Sequence, residues 1–537
     1  MGWNFADVWE VIAEQLPDAP AQVHGEQVVT WRDFDRRADG VARALLDAGL
    51  GHQDKVAQYL YNAPEYLESL FATYKAGMIP VNTNYRYGDD ELIYLWDNAD
   101  TAAVVFHGVF TERIEAIRDR LPDVRLWLWV DDGHGPCPDW ATGYEQAATS
   151  GVERVVAPWG RSADDLYLLY TGGTTGKPKG VMWRQGDLFA VLNASSPVRY
   201  EGEEGDLDVV RATLEQPGPV HLPACPLMHG TAAFSSFSML SAGGCVVTLT
   251  NRSFDVVELL DAVERERVNT MAIVGDAFAK PMLRALDAEP DRWDISSLFL
   301  IISSGVMWSE ETKQGLLRHH PHMLLADQFS SSEALGMGAS VSTGDGATRT
   351  ARFQLGENAR VIDHEGKDVE PGSDQVGRVA VKGRQPIGYY KDPEKTAATF
   401  IELDGERYSV PGDFAMVEDD GTLTLLGRGS VCINTGGEKV YPEEVEEALK
   451  THAGVHDAVV VGVPDERFGE AIAAVVEVAP GATVEESELV DHVRGRLAHY
   501  KAPRHLVTVD SIARSPNGKV DYRRLRDLAT RQVGASA

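Results

Sequence analysis

Between Thr171 and Lys179 the chain places three glycines, three threonines and two lysines, directly after an apolar run ending at Leu169. Such a loop is rich in backbone N–H, hydroxyl and ammonium donors, the groups that surround a polyphosphate. It is not a Walker A loop. Three residues rather than four separate Gly172 from Gly176, and Pro178 stands where Ser or Thr should follow Gly-Lys. The whole chain has only 14 lysines, so two in one short loop exceed what a Gly/Thr turn requires. Farther on, Asp327-Gln328-Phe329-Ser330-Ser331-Ser332-Glu333 reads by itself as a serine-rich helix cap. Pro411-Gly412-Asp413 and Pro516-Asn517-Gly518-Lys519 read as turns, and Gly429 beside Ser430 as a point of backbone freedom.

Taken in order, these segments resemble the adenylate-forming superfamily of acyl-CoA synthetases, peptide-synthetase adenylation domains and firefly-type luciferases. The resemblance spans essentially the whole chain. The family's loop usually reads Tyr-Thr-Ser-Gly-Thr-Thr-Gly-x-Pro-Lys-Gly, and here Gly172 replaces the Ser. The resemblance implies that Thr171, Gly172, Gly173, Thr174, Thr175, Gly176, Lys177 and Lys179 grip the β- and γ-phosphates of ATP. It also implies that Phe329 packs on adenine, that the Ser332 hydroxyl meets phosphate and that Glu333 holds Mg²⁺. A carboxylate beside a triphosphate makes chemical sense only with a cation between them. Phe329 and Ser330 stand where the family has Tyr and Gly. By the same resemblance Ser304 and Gly305, within Ser303-Ser304-Gly305-Val306, lie beside the adenine and the acyl chain, and Asp413 binds both ribose hydroxyls. Arg428 then approaches ribose or phosphate, and Ser430 occupies the inter-domain hinge where Asp or Lys is common. Gly436, Gly437 and Lys439 line a pantetheine tunnel for CoA, and Lys519 is the adenylation lysine. The run from Gly427 to Glu446 looks most similar to bacterial fatty-acyl and steroid side-chain CoA ligases.

The elements that position these residues follow from periodicity. Val28–Thr30, Val56–Leu60, Ile79–Asn82 and Ala102–Phe106 have strand character. Trp31–Ala48, Pro64–Ala76 and Glu91–Asn98 have helical spacing. Strands alternating with helices predict parallel βαβ layers, and Val124–Val130, Leu166–Tyr170, Val246–Leu249 and Leu298–Ile302 continue the strand theme. The expected fold is α/β: a large N-terminal adenylation domain over residues 1–428, β-rich from about 345 to 428, then a small mobile α+β C-terminal domain over 429–537. A helix is predicted to start at Pro442-Glu443-Glu444, where proline and early acids suit the first turn.

The formal charge is −32, which argues against nucleic acid or an anionic membrane surface as partner. Small polyanions such as ATP and CoA need only a local basic pocket. Four scattered cysteines make neither a metal motif nor a disulfide framework. The N-terminus lacks a cationic start before an apolar stretch, and no run is long and apolar enough to span a bilayer. A soluble cytoplasmic protein is expected, with a homodimer allowed. The segment Cys225–Phe234 contains no carboxylate to pair a substrate ammonium, which disfavours amino acids. With His229, Phe234 and Gly305 it suits a hydrophobic acid. The expected activity is an acid–thiol ligase: ATP, with Mg²⁺, converts the acid to acyl-AMP, and CoA takes the acyl group. An acyl-AMP ligase loading a carrier protein and a luciferase-like oxidative enzyme stay open as alternatives.

Overall fold

The computed structural model describes residues 2–150, 153–171, 177–428, 433–435, 438–465, 469–497, 499–515 and 520–536, with the backbone alone for 428, 434, 438, 439, 469 and 534–536. Among them the strands form three sheets. The first has a parallel core in which Pro20–His24, Cys245–Thr248, Val220–Pro223, Thr270–Ile273, Leu300–Ser304 and Leu324–Ser331 lie side by side. It turns antiparallel at Ala334–Ser342 and runs on through Arg352–Leu355 into the β-rich unit. The second sheet is also largely parallel, with Ile79–Asn82, Lys55–Tyr59, Thr101–His107 and Leu126–Val130 adjacent. Beside Ile79–Asn82 lies Leu166–Thr171, which pairs antiparallel with Lys179–Arg184. The third sheet belongs to the C-terminal part, where the long hairpin of Val455–Asp465 and Gly469–Val478 packs on the helix Pro442–Lys450.

The strands of the parallel core read as continuous apolar runs because both faces are covered; Thr101–His107 is buried along its whole length. The helices Pro64–Lys75 and Gly230–Ser241 are almost wholly buried. With the first helix, Phe5–Gln15, they form an aromatic core in which Phe5, Trp9, Phe71, Tyr74 and Phe237 meet at ring distances of 5.3–6.5 Å. Each such ring removed from water contributes roughly 1.5–3 kcal/mol. Lys75 ends one of these helices in the interior and has no exposed surface. Its ammonium lies 2.8, 2.7 and 2.9 Å from Glu10, Asp35 and Asp39, because a charge withdrawn from water must be matched by opposite charge close by. One of the scarce lysines is therefore a structural cation.

The β-rich segment also holds the helix Pro393–Thr399, and one of its strands joins another sheet. Gly388–Tyr389 leaves it and pairs with Met182 and Val181 of the second sheet, so this short piece clips the β-rich unit to the hairpin that carries the glycine-rich loop. No helix of the described residues is long and apolar enough to cross a membrane.

Candidate active site

The glycine-rich segment is the connection of a hairpin whose last pair is Thr171 with Lys179. Gly172, Gly173, Thr174, Thr175 and Gly176 lie outside the described residues. The base of the hairpin is fixed by Asn82, 4 % exposed, at the end of its strand. Its Oδ1 accepts the Tyr170 N–H at 2.6 Å, and its Nδ2 donates to the carbonyls of Tyr170 at 2.9 Å and Met228 at 2.7 Å. Lys177 is exposed, with Nζ 4.2 Å from the centre of the Tyr94 ring. Half-buried Lys179 donates to Asp392 Oδ2 at 2.6 Å and lies 5.9 Å from the Tyr389 ring centre. That bond, with the Lys395 N–H of the helix Asp392 caps, holds the Asp392 carboxyl below its ordinary range.

Glu333 meets the same Tyr389 at its hydroxyl. Ser331 pairs with Ala334, so Ser332 and Glu333 form a two-residue turn. The Glu333 carboxylate is 8 % exposed and accepts the Tyr389 hydroxyl at 2.8 Å. Its backbone is gripped as well: Ser409 Oγ donates to the Glu333 carbonyl at 2.8 Å, and Trp183 Nε1 to that of Ser332 at 3.0 Å. Glu333 makes no ion pair among the described residues, and these hold no cluster of three or more metal-ligating side chains. A buried carboxylate without its own cation fits a Mg²⁺ ion whose remaining ligands come from substrate phosphates and water. Sequence reasoning missed Tyr389, Asp392 and Asn82. Only the Gly-Tyr-Tyr step at 388–390 and a polar residue ending an apolar strand hinted at them.

Phe329 alternates inward on its strand. It is 7 % exposed with its ring centre 5.5 Å from that of Phe353, so a base could stack only on the edge that remains. Asp327, two residues earlier, faces the interior, where burial pushes its carboxyl up to about 7 despite Lys313 at 3.9 Å. Ser303 and Ser304 end a parallel strand, and the Ser303 hydroxyl accepts the Gly275 N–H at 2.9 Å. Gly305 has φ +95°, a conformation glycine adopts freely. A Cβ there would lie 3.8 Å from Val274 and 4.0 Å from the Thr231 hydroxyl. Thr231 lies in the first turn of the helix that His229 caps and on which Phe234 sits one turn later, 7 % exposed and edge-on to Tyr167 at 6.2 Å. Gly305, Thr231 and Val274 thus meet at one strand end.

Asp413 opens a strand whose neighbour ends at Arg428, and the two residues are paired across the ladder. Asp413 is 5 % exposed; the Arg428 side chain lies outside the described residues. Gly427, φ +110°, is where the C-terminal unit touches, since a Cβ there would clash with the Glu443 carboxyl. Ser430, Gly436, Gly437, the Lys439 side chain and Lys519 also lie outside the described residues. What flanks Lys519 is anchored: Arg514 forms a two-pronged ion pair with Asp457 at 2.6 and 2.9 Å, and the Tyr522 hydroxyl donates to Glu446 at 3.2 Å.

Comparison with known proteins adds to this geometry. The family model described as AMP-binding enzyme matches residues 9–390, and the model of the AMP-binding enzyme C-terminal domain matches 444–519. A medium/long-chain-fatty-acid–CoA/3-oxocholest-4-en-26-oate–CoA ligase of Mycobacterium marinum is 41 % identical over 527 residues, 97 % of this chain and 95 % of that one. A 3-oxocholest-4-en-26-oate–CoA ligase of Rhodococcus rhodochrous is 41 % identical over 98 % of this chain and 96 % of its own. Among solved structures, ATP-bound MatB from Rhodopseudomonas palustris superposes with a TM-score of 0.80 at 26 % identity, covering 98 % and 99 %. The anthranilate CoA ligase AuaEII with anthranoyl-AMP shares the fold at a TM-score of 0.84 and 20 % identity, covering 99 % and 98 %.

Proposed function

The chain belongs to the AMP-binding enzyme family, and on that footing we propose that it is an ATP-dependent acyl-CoA ligase for a hydrophobic carboxylic acid, a fatty acid or steroid side-chain acid. The observation that supports this best is the corner in which Lys179 lies over the Tyr389 ring and Glu333 accepts its hydroxyl. One basic and one acidic group, far apart in sequence but joined through one phenol, suit a phosphate chain that needs both an ammonium and a metal ion.

A carboxylate is a poor electrophile because attack on it must expel an oxide-like group. In the first step its oxygen attacks the α-phosphorus of ATP, the bond to the β-phosphate oxygen breaks, and pyrophosphate leaves. The mixed anhydride has a good leaving group. The protein's part is positioning and neutralising charge. Lys177 and the amides of 172–176 hold the β- and γ-phosphates, and Lys179 exchanges Asp392 for phosphate. Glu333 holds Mg²⁺, which when bound offsets the charge of the triphosphate. Asp413 takes the ribose hydroxyls, with Arg428 beside it, and Ser304, Phe329 and Ser332 bound the nucleotide. His229, Phe234 and Gly305 line the acid's site. Lys519 neutralises the acyl carboxylate and the α-phosphate as pyrophosphate departs. Residues 429–537 then turn about Ser430, withdraw Lys519 and bring Gly436, Gly437 and Lys439 to guide CoA. Its thiol attacks the acyl carbonyl, and AMP leaves. A cytoplasmic site gives access to the ATP and CoA pools.

The test incubates the protein with ATP, Mg²⁺, CoA and a panel of fatty, aryl and steroid acids, and quantifies pyrophosphate and thioester. Both products from at least one acid are expected. Pyrophosphate without thioester across the panel would overturn CoA as the acceptor, and no pyrophosphate from any acid would overturn the adenylation reading.

A further inference from the structure

A cavity of about 340 Å³ opens on the same carboxyl edge, away from Glu333. It lies where strand ends of the first two sheets face each other. His24 and Pro223 close strands of the first sheet, and His107 and Val130 close strands of the second. The crevice outside the carboxyl ends of parallel strands is where open α/β sheets bind ligands. The volume falls near the lower end of the roughly 300–1,000 Å³ that takes a drug-sized molecule.

Two aromatic pairs form its walls. Tyr61 and Tyr85 have ring centres 4.5 Å apart, and Phe254 meets Phe278 edge-on at 4.8 Å. Charge at the mouth is matched internally. Arg252 lies 2.6 Å from Asp132 and covers the Tyr61 ring at 5.0 Å, and the Val109 N–H donates to the same carboxylate at 3.2 Å. Asp131 on the rim is exposed to water. The imidazoles left inside are held neutral. His107 accepts the Tyr61 N–H on Nδ1 at 3.1 Å, which leaves Nε2 to donate, and burial lowers its pKa to about 4. Burial also holds His24 below its ordinary range. Glu65, in the first turn of Pro64–Lys75, makes no ion pair and no hydrogen bond to another side chain among the described residues.

We infer that this cavity binds an uncharged ring system bearing a carbonyl or hydroxyl oxygen, held between the aromatic pairs and hydrogen-bonded by Glu65 and His107. The one arginine in its lining is already paired, so a phosphate or carboxylate gains little there. Two sources share this chemistry. Val220–Pro223 is two strands from Leu300–Ser304 in one sheet, about 10 Å at the usual strand spacing, so the ring could be the remote end of the acid. That source rests on the ligase reading; a separate neutral molecule does not.

The experiment titrates the full chain with testosterone, which carries a ketone, a hydroxyl and no carboxylate, by calorimetry. Saturable binding is expected, weakened about tenfold or more by Glu65→Ala and by Ser253→Trp, which fills the exposed rim, and kept within about threefold by Glu65→Gln. Melting curves identify any variant that fails to fold, and Ser253→Trp then stands as the test. No saturable binding to the wild type, or binding unchanged in both Glu65→Ala and Ser253→Trp, overturns the inference. Adenylation of a steroid side-chain acid is assayed in parallel. Competition by testosterone identifies the remote end of the acid, and an unchanged KM identifies an independent ligand. If no acid is adenylated, the ligase reading fails while the calorimetric result still decides this one.

Discussion

The corner around Glu333 and the cavity around Glu65 each hold one carboxyl group near the carboxyl edge of the sheets, and their neighbours differ. Glu333 has a phenol donor and, beside the same ring, an ammonium already paired to a half-buried acid. Glu65 has aromatic walls, neutral imidazoles and an arginine matched to Asp132. Glu333 is buried and Glu65 half-buried, so both are partly withdrawn from water. What separates them is whether a cation nearby can exchange its partner for a ligand. On the proposed readings, that difference would direct phosphates to one site and uncharged rings to the other.

The comparison can be broken from either side. Lys519→Ala should lower adenylation about 100–1,000-fold, as loss of one charge-stabilising group does, yet leave thioester formation from preformed acyl-AMP within about threefold. Equal loss of both steps would remove it from the charged side. Glu333→Ala should cost about 100-fold in pyrophosphate release and abolish the response to Mg²⁺; an unaltered Mg²⁺ titration would break the reading of that corner. On the neutral side, burial and then Glu68 raise the Glu65 pKa to about 7 from an ordinary 4.5, with Arg37 opposing and Glu145 adding to the rise. The folded chain therefore holds a proton that the unfolded chain has lost between these values. Stability should fall as pH rises from about 4.5 to 7, by about 1–3 kcal/mol. Urea midpoints at pH 5 and pH 8 should show this slope, and Glu65→Gln should flatten it. The smallest effect is expected from Tyr389→Phe, which removes one hydrogen bond to Glu333. A loss of about 3–10-fold, seen as a higher Mg²⁺ midpoint rather than in CoA kinetics, would sharpen the assignment.

Much of the framework was legible from residue patterns. The alternation from Val28 to Phe106 matches the observed elements to within two residues at nearly every end, because apolar periodicity reports which faces are covered. The two-residue strand Gly388–Tyr389 was not legible, since so short a strand has no period and its partner is chosen by tertiary packing. Phe329 shows the same limit. Its motif position marks the residue, but only the neighbouring Phe353 and Met337 show that its ring enters the core of the β-rich unit. Glu65 lies in an ordinary first helical turn, where an acid usually answers the helix dipole, and nothing local reveals the cavity in front of it.

Asn82 ties the backbone of Tyr170, at the foot of the glycine-rich loop, to the carbonyl of Met228, next to His229. One amide thus ties together the segment proposed to hold the nucleotide and the segment proposed to hold the acid. Whatever free energy one substrate spends in ordering these segments is spared to the other, and by linkage the favour is mutual. Cooperative binding of the two substrates would then be written into three hydrogen bonds rather than into any contact between them.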